Sequence, residues 1–280
     1  MISADFKITI VGLGLLGGSY ASGLAKKGYK VKAIDINQEY LEHALANKWI
    51  VEGSDDPSLV SDADLVIYCL YPNTLVKWLK SYQNLLKPNA LLTDVTGVKR
   101  SIMSKINGFL RTDVKFIYSH PMAGKEVSGA LYSDSNIFKS ANFIVIKDED
   151  IQAMQTIKDL ATILEFKNIV ELDAKSHDEM IAFVSQLTHV IAVCLMNVSD
   201  NTHLKDYTGD SFRDLTRIAK INENLWYELF MQNKDMLLKE IDAFTRQLDH
   251  FKEVIINDDE EEMKRLFRQS SMRRKEFDKK

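Results

Sequence analysis

Gly12-Leu13-Gly14-Leu15-Leu16-Gly17 decides the fold of this 280-residue chain. It follows the β-branched run Ile8-Thr9-Ile10-Val11 and opens an apolar helical pattern through Ala21, Leu24 and Ala25. A second strand pattern then ends in Asp35, 18 residues after Gly17. A strand–turn–helix–strand unit of this spacing is what a dinucleotide requires: Gly12 for the tight turn, Gly14 for close approach of backbone to pyrophosphate, Gly17 for close helix–strand packing. The first helical turn, including Leu15 and Leu16, offers free N–H groups and a partial positive charge to the phosphates. Asp35 is placed to accept hydrogen bonds from the ribose hydroxyls. A carboxylate there repels a 2′-phosphate, and no arginine immediately follows it, so the expected cofactor is NAD rather than NADP.

Working outward, strand patterns recur at Lys30–Ile34, Leu65–Cys69, Ala90–Val95, Lys115–Ser119, Phe143–Ile146 and Ile169–Leu172. Most are separated by segments of helical character, which predicts a largely parallel sheet with crossover helices. All four prolines lie at or before Pro121 and eleven of twelve glycines at or before Gly129. Residues 130–280 hold one glycine, Gly209, and no proline, so helices can run long there. Met180, Phe183, Val184, Leu187, Ile191, Cys194, Leu195 and Val198 follow helical spacing. Helices are expected over about Ser176–Asn201, about Asn222–Ile256, and from Asp258–Glu262 onward to a basic end at Arg273, Arg274 and Lys275. The predicted fold is an α/β Rossmann-type dinucleotide-binding domain, residues 1–174, followed by an all-α domain, residues 175–280.

Composition excludes several classes. Apolar residues make up 45% and charged residues 27%, which is globular rather than disordered. A net charge of −4 shows no basic excess, so no nucleic-acid partner is expected. Cys69 and Cys194 cannot form a disulfide framework and are read as buried free thiols. No clustered Cys/His spacing predicts a metal site. The N-terminus lacks a secretory pattern. The apolar stretch Met180–Met196 carries Ser185, Gln186, Thr188 and His189 and reads as a buried helix rather than a membrane span. A cytoplasmic location with no membrane partner is therefore expected.

Ligands of open parallel sheets bind at the carboxyl ends of strands. Tyr71-Pro72, Asp94-Val95-Thr96-Gly97-Val98-Lys99 and Ser119-His120-Pro121-Met122-Ala123-Gly124 all fall there. Tyr71 and Asp94 are candidates for cofactor contacts. His120 is the candidate catalytic base, because an imidazole can take a proton from an alcohol as hydride leaves the same carbon. Arg213 and Arg217 lie in the polar interruption around Gly209, and a guanidinium fork there would bind an acidic substrate. Spacing does not choose between them, since each has an aspartate neighbour. His189 sits among apolar residues on the long helix, and His177 beside Asp178 reads as structural.

The glycine loop, the His-Pro-Met-Ala-Gly element with Glu126, and Phe212-Arg213-Asp214-Leu215-Thr216-Arg217-Ile218-Ala219 together resemble the prephenate dehydrogenase family of tyrosine biosynthesis. The resemblance covers essentially the whole chain. It implies NAD-dependent oxidative decarboxylation of prephenate to 4-hydroxyphenylpyruvate, CO₂ and NADH, with loss of CO₂ making the ring aromatic. It implies that His120 takes the ring-hydroxyl proton, that Arg217 binds a prephenate carboxylate, that His189 lies in the active site, and that the helical part forms a homodimer. The family's C-terminal regulatory ACT domain, found in some members, is not expected here. The usual family pattern Asp-x-Gly-Ser-x-Lys departs in this chain, where Gly97 takes the serine position; Thr96 is the expected substitute hydroxyl. Alternative expectations are an arogenate dehydrogenase and a non-catalytic NAD-binding sensor.

Overall fold

A computed structural model describes residues 2, 3 and 5–278. They fall into two compact units divided between Asn233 and Lys234. Strands of the first unit are β1 (Ile8–Val11), β2 (Val31–Ile34), β3 (Glu52–Ser54), β4 (Leu65–Tyr68), β5 (Leu91–Asp94), β6 (Lys115–Phe116), β7 (Ser119–Pro121), β8 (Asn142–Ile146) and β9 (Asn168–Leu172). Its first helices are α1 (Leu15–Lys26), α2 (Gln38–Ala46), α3 (Pro72–Tyr82), α4 (Arg100–Asn107) and α5 (Ile151–Ile163).

Six strands form one parallel sheet in the order β3-β2-β1-β4-β5-β6. This is the doubly wound arrangement, and its order reverses between β1 and β4. Every residue of β1 and β4 is buried, as helices on both faces demand; hence the unbroken apolar runs that mark them in the sequence. A second sheet, β7-β8-β9, has β7 antiparallel to β8 and β8 parallel to β9.

One strand expectation needs correction, and one strand was not expected. The run Lys115–Ser119 is not one strand. Ile117 still donates its N–H to Leu92 of β5, but the Tyr118 carbonyl accepts from Ile146 of β8. The chain changes sheets there without a turn residue, so the apolar pattern cannot reveal the change of partner. His120 consequently lies inside β7, opposite Ile144, rather than in a loop after a strand. The edge strand β3 (Glu-Gly-Ser) has no β-branched residue and gave no strand signal.

Further along come α6 (Ala174–Ile181), a wide π turn over Ala182–Leu187, and α7 (Thr188–Asn197), which continue one another. Short helices α8 (Leu204–Tyr207) and α9 (Asp210–Thr216) precede a 3₁₀ turn, Arg217–Ala219, and α10 (Glu223–Gln232). The helix expected over Asn222–Ile256 is broken at Asn233. That side chain is buried and hydrogen-bonds the Asp178 carbonyl, Gln186 Oε1 and an Arg100 guanidinium nitrogen. In the second unit, α11 (Lys234–Ile256) and α12 (Glu260–Lys275) form a hairpin, with Asp259 capping α12 and its acidic start and basic end matching the helix dipole.

The stretch Ala174–Asn197 is long and apolar enough, by length and composition, to cross a membrane. It was expected to be buried; within the single chain only part of it is. Ile181, Ala182 and Leu187 are buried, whereas Phe183 is 58% and Val184 47% exposed. Cys194 is likewise exposed, not buried. Helical periodicity reports which residues share a face. It does not report whether the same chain covers that face.

Candidate active site

The glycine loop has the conformation that its residue types require. Gly12 adopts φ +93°, where an L side chain is strained, and a Cβ there would lie 2.6 Å from the Cys69 carbonyl oxygen. At Gly17 a Cβ would fall 1.8 Å from the Gly12 carbonyl oxygen, so helix and loop touch backbone to backbone. Gly14, by contrast, has open space on its Cβ side. It begins α1 without a side-chain cap, and Leu15 and Leu16 beside it are only half-buried. This is a cradle with unclaimed N–H donors at a helix N-terminus, and it fits a pyrophosphate.

Asp35 sits at the end of β2 and accepts hydrogen bonds from the Leu13 N–H at 2.6 Å and the Asn37 N–H at 2.7 Å. Its carboxylate therefore braces the glycine loop, and it keeps acceptor sites for the ribose hydroxyls expected of it. A carboxylate has about four acceptor sites, so both roles are compatible. Asp35→Ala is expected to weaken NAD binding by about 10–100-fold, the loss of hydrogen bonds to a charged group, and to narrow the preference over NADP. Titration with both nucleotides checks this; unchanged affinity and selectivity would remove Asp35 from the site.

His120 meets a partner that its sequence neighbourhood does not show. Its Nδ1 lies 2.9 Å from Nε2 of His177, whose Nδ1 lies 2.8 Å from Oδ1 of Asp178. His177 and Asp178 are fully buried in the first turns of α6, a helix started by the Asp173 side chain accepting from the N–H groups of Lys175 and Ser176. Asp178 also accepts from the backbone N–H groups of Lys99 and Arg100, each at 2.9 Å, and from Arg100 Nε at 3.3 Å. Burial opposes its charge, but the bonds from His177 and those N–H groups hold its carboxyl below the usual carboxylate range. An ionised carboxylate only accepts, so His177 Nδ1 carries a proton and its Nε2 accepts from His120 Nδ1–H. Nε2 of His120 is then the unprotonated nitrogen, and no hydrogen bond within the described residues engages it. Burial, together with the neighbouring His177 and the Lys99 charge, pushes the His120 pKa well below the ordinary imidazole value. Its neutral, basic form is thus present at neutral pH.

The second cluster lies on the helices. His189 on α7 donates from Nδ1 to the Ser185 carbonyl at 2.9 Å and packs tilted against Trp226 with ring centroids 3.6 Å apart. Burial lowers its pKa, with the nearby Arg217 acting in the same direction. Arg217, at the 3₁₀ turn after α9, pairs with Glu126 from the loop after β7. Its side chain is 62% exposed and its fork is not enclosed by protein. Arg213 donates to the Thr208 carbonyl and to Asp210, clasping its own loop.

Thr96 and Asp94, expected at the site, turn inward. Thr96 is buried, and its hydroxyl bonds Asp94 and the Val98 carbonyl, so it does not replace a serine hydroxyl beside His120. Asp94 is wholly buried and takes hydrogen bonds from the N–H groups of Thr96 and Ser119 and from Lys99, leaving no face for a cofactor. Tyr71 begins α3, is 39% exposed, and its hydroxyl accepts from Asn222. Gly97 lies beside the imidazole; a Cβ there would come within 3.8 Å of His120 Cε1 and 3.2 Å of Leu229 Cδ2. The sequence reading missed Asp178 and took His177 as structural. The only hint was an adjacent His-Asp pair one turn into a capped helix.

Two family models match the chain. Residues 20–170 match that described as the prephenate dehydrogenase nucleotide-binding domain, and residues 173–269 that described as the prephenate dehydrogenase dimerization domain. Prephenate dehydrogenase of Lactococcus lactis subsp. cremoris is 31% identical over 269 residues, 93% of this chain and 74% of that protein. The solved structure of prephenate dehydrogenase from A. aeolicus, in complex with hydroxyphenyl propionate and NAD+, superposes with a TM-score of 0.88 at 29% identity, covering 97% of this chain and 98% of the other. Synechocystis arogenate dehydrogenase superposes with a TM-score of 0.82 at 25% identity, covering 97% of this chain and all of the other.

Proposed function

The chain belongs to the prephenate dehydrogenase family, and from that premise we infer that it catalyses the NAD-dependent oxidative decarboxylation of prephenate to 4-hydroxyphenylpyruvate, the step that serves tyrosine biosynthesis. The observation that carries this reading is the His120–His177–Asp178 chain in the same unit as the open Gly14 cradle. NAD⁺, when bound, would supply the hydride acceptor for the ring carbon that bears the hydroxyl. His120 Nε2 takes the hydroxyl proton as that carbon becomes a carbonyl carbon; loss of the ring carboxylate as CO₂ then leaves its electron pair to the ring, which becomes aromatic as the carbonyl oxygen takes up a proton. His177 and Asp178 hold the imidazole in the basic tautomer and steady its positive charge once it is protonated. Gly12, Gly14, Leu15, Leu16 and Gly17 hold the pyrophosphate, and Asp35 the ribose.

Arg217 binds a substrate carboxylate by exchanging Glu126 for it. His189, with Nδ1 committed to Ser185, offers Nε2 as an acceptor at the same place. Arg217→Ala is expected to raise KM for prephenate by about 10–100-fold, the worth of a charged hydrogen-bonded contact, with a smaller change in kcat. A KM within twofold of the parent would reassign the carboxylate site.

The functional division is proposed at residue 174, with nucleotide binding before it and substrate binding and dimerisation after it. The exposed apolar face around Phe183 and Val184 is proposed to meet a second copy of the chain, in keeping with the match of residues 173–269. A cytoplasmic location is proposed with it.

The deciding experiment supplies NAD⁺ with prephenate and, in parallel, with arogenate, and follows NADH absorbance. Turnover with prephenate is expected. Turnover with arogenate alone would keep the mechanism and change the substrate. Nucleotide binding without turnover on either would overturn the enzyme reading.

A further inference from the structure

Beneath His120 lies a pair of charges that touches no solvent. Asp94, at the end of β5, and Lys99, just before α4, both have side chains with 0% exposure. Lys99 Nζ donates to Asp94 Oδ2 at 2.6 Å, to Thr96 Oγ1 at 3.2 Å and to the Ser119 carbonyl at 2.5 Å. That carbonyl belongs to the peptide bond leading into His120. On the other side, Asp94 Oδ1 accepts from the Ser119 N–H at 3.1 Å, and the Asp94 carbonyl accepts from Ser119 Oγ at 2.8 Å. Ser119 is therefore gripped at its N–H, its hydroxyl and its carbonyl by one buried ion pair and its strand.

Lysine is almost never fully buried, and a buried pair often gives no more stability than an apolar replacement. Its presence here calls for another reason. We propose that Lys99, held by Asp94, is a positioning residue for the proton transfer: it fixes the peptide bond entering His120 and sets a buried positive charge near the imidazole pair. This rests on His120 being the base. Gly97 has no side chain to steady the ring from its side, so the ring is held by His177 and through Ser119. A displacement of about 1 Å at a reacting group is enough to lower a rate roughly 100-fold.

The charged and titratable groups around His120 are Lys99 and Asp94 from the β5–α4 connection, His177 and Asp178 from α6, and Arg100 of α4 through Asp178. Lys99 pushes the His120 pKa down, adding to burial and His177. Removing the ammonium while Asp94 keeps its charge must therefore raise it. Since the neutral imidazole is the base, the acid limb of kcat/KM then moves to higher pH.

The test compares Lys99→Met, the double variant Asp94→Asn/Lys99→Met, and His120→Asn, each by pH profile with prephenate and by NAD titration. Lys99→Met is expected to lower kcat by about 10–100-fold, with KM and NAD affinity nearly unchanged and the acid limb displaced upward. The double variant, which buries no lone charge, should share the kcat loss with a smaller displacement. Parental kcat and limb in Lys99→Met overturn the proposal. So does a loss of activity that follows a loss of folded protein while the limb stays in place. If Lys99→Met does not fold, the double variant decides, and parental kcat in it overturns the proposal. Near-parental turnover by His120→Asn would instead sink the underlying assignment of the base, whatever Lys99 does.

Discussion

His120→Asn is expected to reduce kcat by about 10²–10⁴-fold, the range that a positioned general base contributes, while NAD affinity stays near the parental value. Asparagine is close to the ring in size up to Nδ1 and can still donate to His177 Nε2 from its amide, so the buried bond survives. What disappears is the basic Nε2. The parental pH profile should carry the same assignment. Burial, His177 and Lys99 hold the imidazole well below its ordinary value, so the base is unprotonated at neutral pH. Activity should persist as pH falls through the usual histidine range and fail only below it. An acid limb at or above the ordinary imidazole value would contradict that environment, and a variant with near-parental kcat would refute the mechanism.

Asp178→Asn carries the second-largest effect, and its reason is the tautomer. With a carboxylate at 2.8 Å, His177 must hold its proton on Nδ1. An amide whose NH₂ turns toward Nδ1 forces that proton to Nε2. His177 then donates to His120 Nδ1, and His120 carries its proton on Nε2, the atom that has to accept one. The expected loss in kcat is on the order of 10²-fold or more, with KM for prephenate little changed. With the NH₂ in the Oδ1 position, the Lys99 N–H loses its acceptor, while the amide oxygen takes the Oδ2 position and still accepts from the Arg100 N–H. Its pairing with the Arg100 guanidinium is weakened, so thermal stability should be measured alongside. His177→Gln separates the two effects: its side-chain oxygen can accept from His120 Nδ1–H and preserve the productive tautomer. It should retain more activity than Asp178→Asn. The reverse order would mean that the chain of bonds works by packing alone.

The nucleotide half was legible because its signals are local. Gly12, Gly14 and Gly17 each answer a backbone requirement that neighbouring residues create, and Asp35 closes a unit of fixed length. His120 was legible from its place at a strand end, and Arg217 through resemblance to a family, since spacing alone left Arg213 and Arg217 unresolved. In the structure Arg213 touches its own loop, and Arg217 a carboxylate from the loop after β7.

Thr96 and Asp94 mark the opposite case. Both stand in a motif at a strand end, where ligand contacts are expected, yet both turn inward to Lys99 and Ser119. A motif gives residue types and order; the direction of each side chain depends on the loop that carries it.

By itself the sequence determined the parallel sheet, the dinucleotide turn, the choice of a carboxylate at Asp35 and the change to long helices after residue 174. These follow from hydrophobic period, from glycine where a Cβ cannot fit, and from the absence of proline. Only the tertiary structure decided that Lys115–Pro121 is divided between two sheets, that His177 and Asp178 stand behind His120 across 57 residues of chain, and that Asp94 and Lys99 are sealed beneath it. The physical reason is common to all three. Each depends on which distant backbone or side chain supplies the hydrogen-bond partner, and a buried polar group will take whichever partner the packed elements bring within reach.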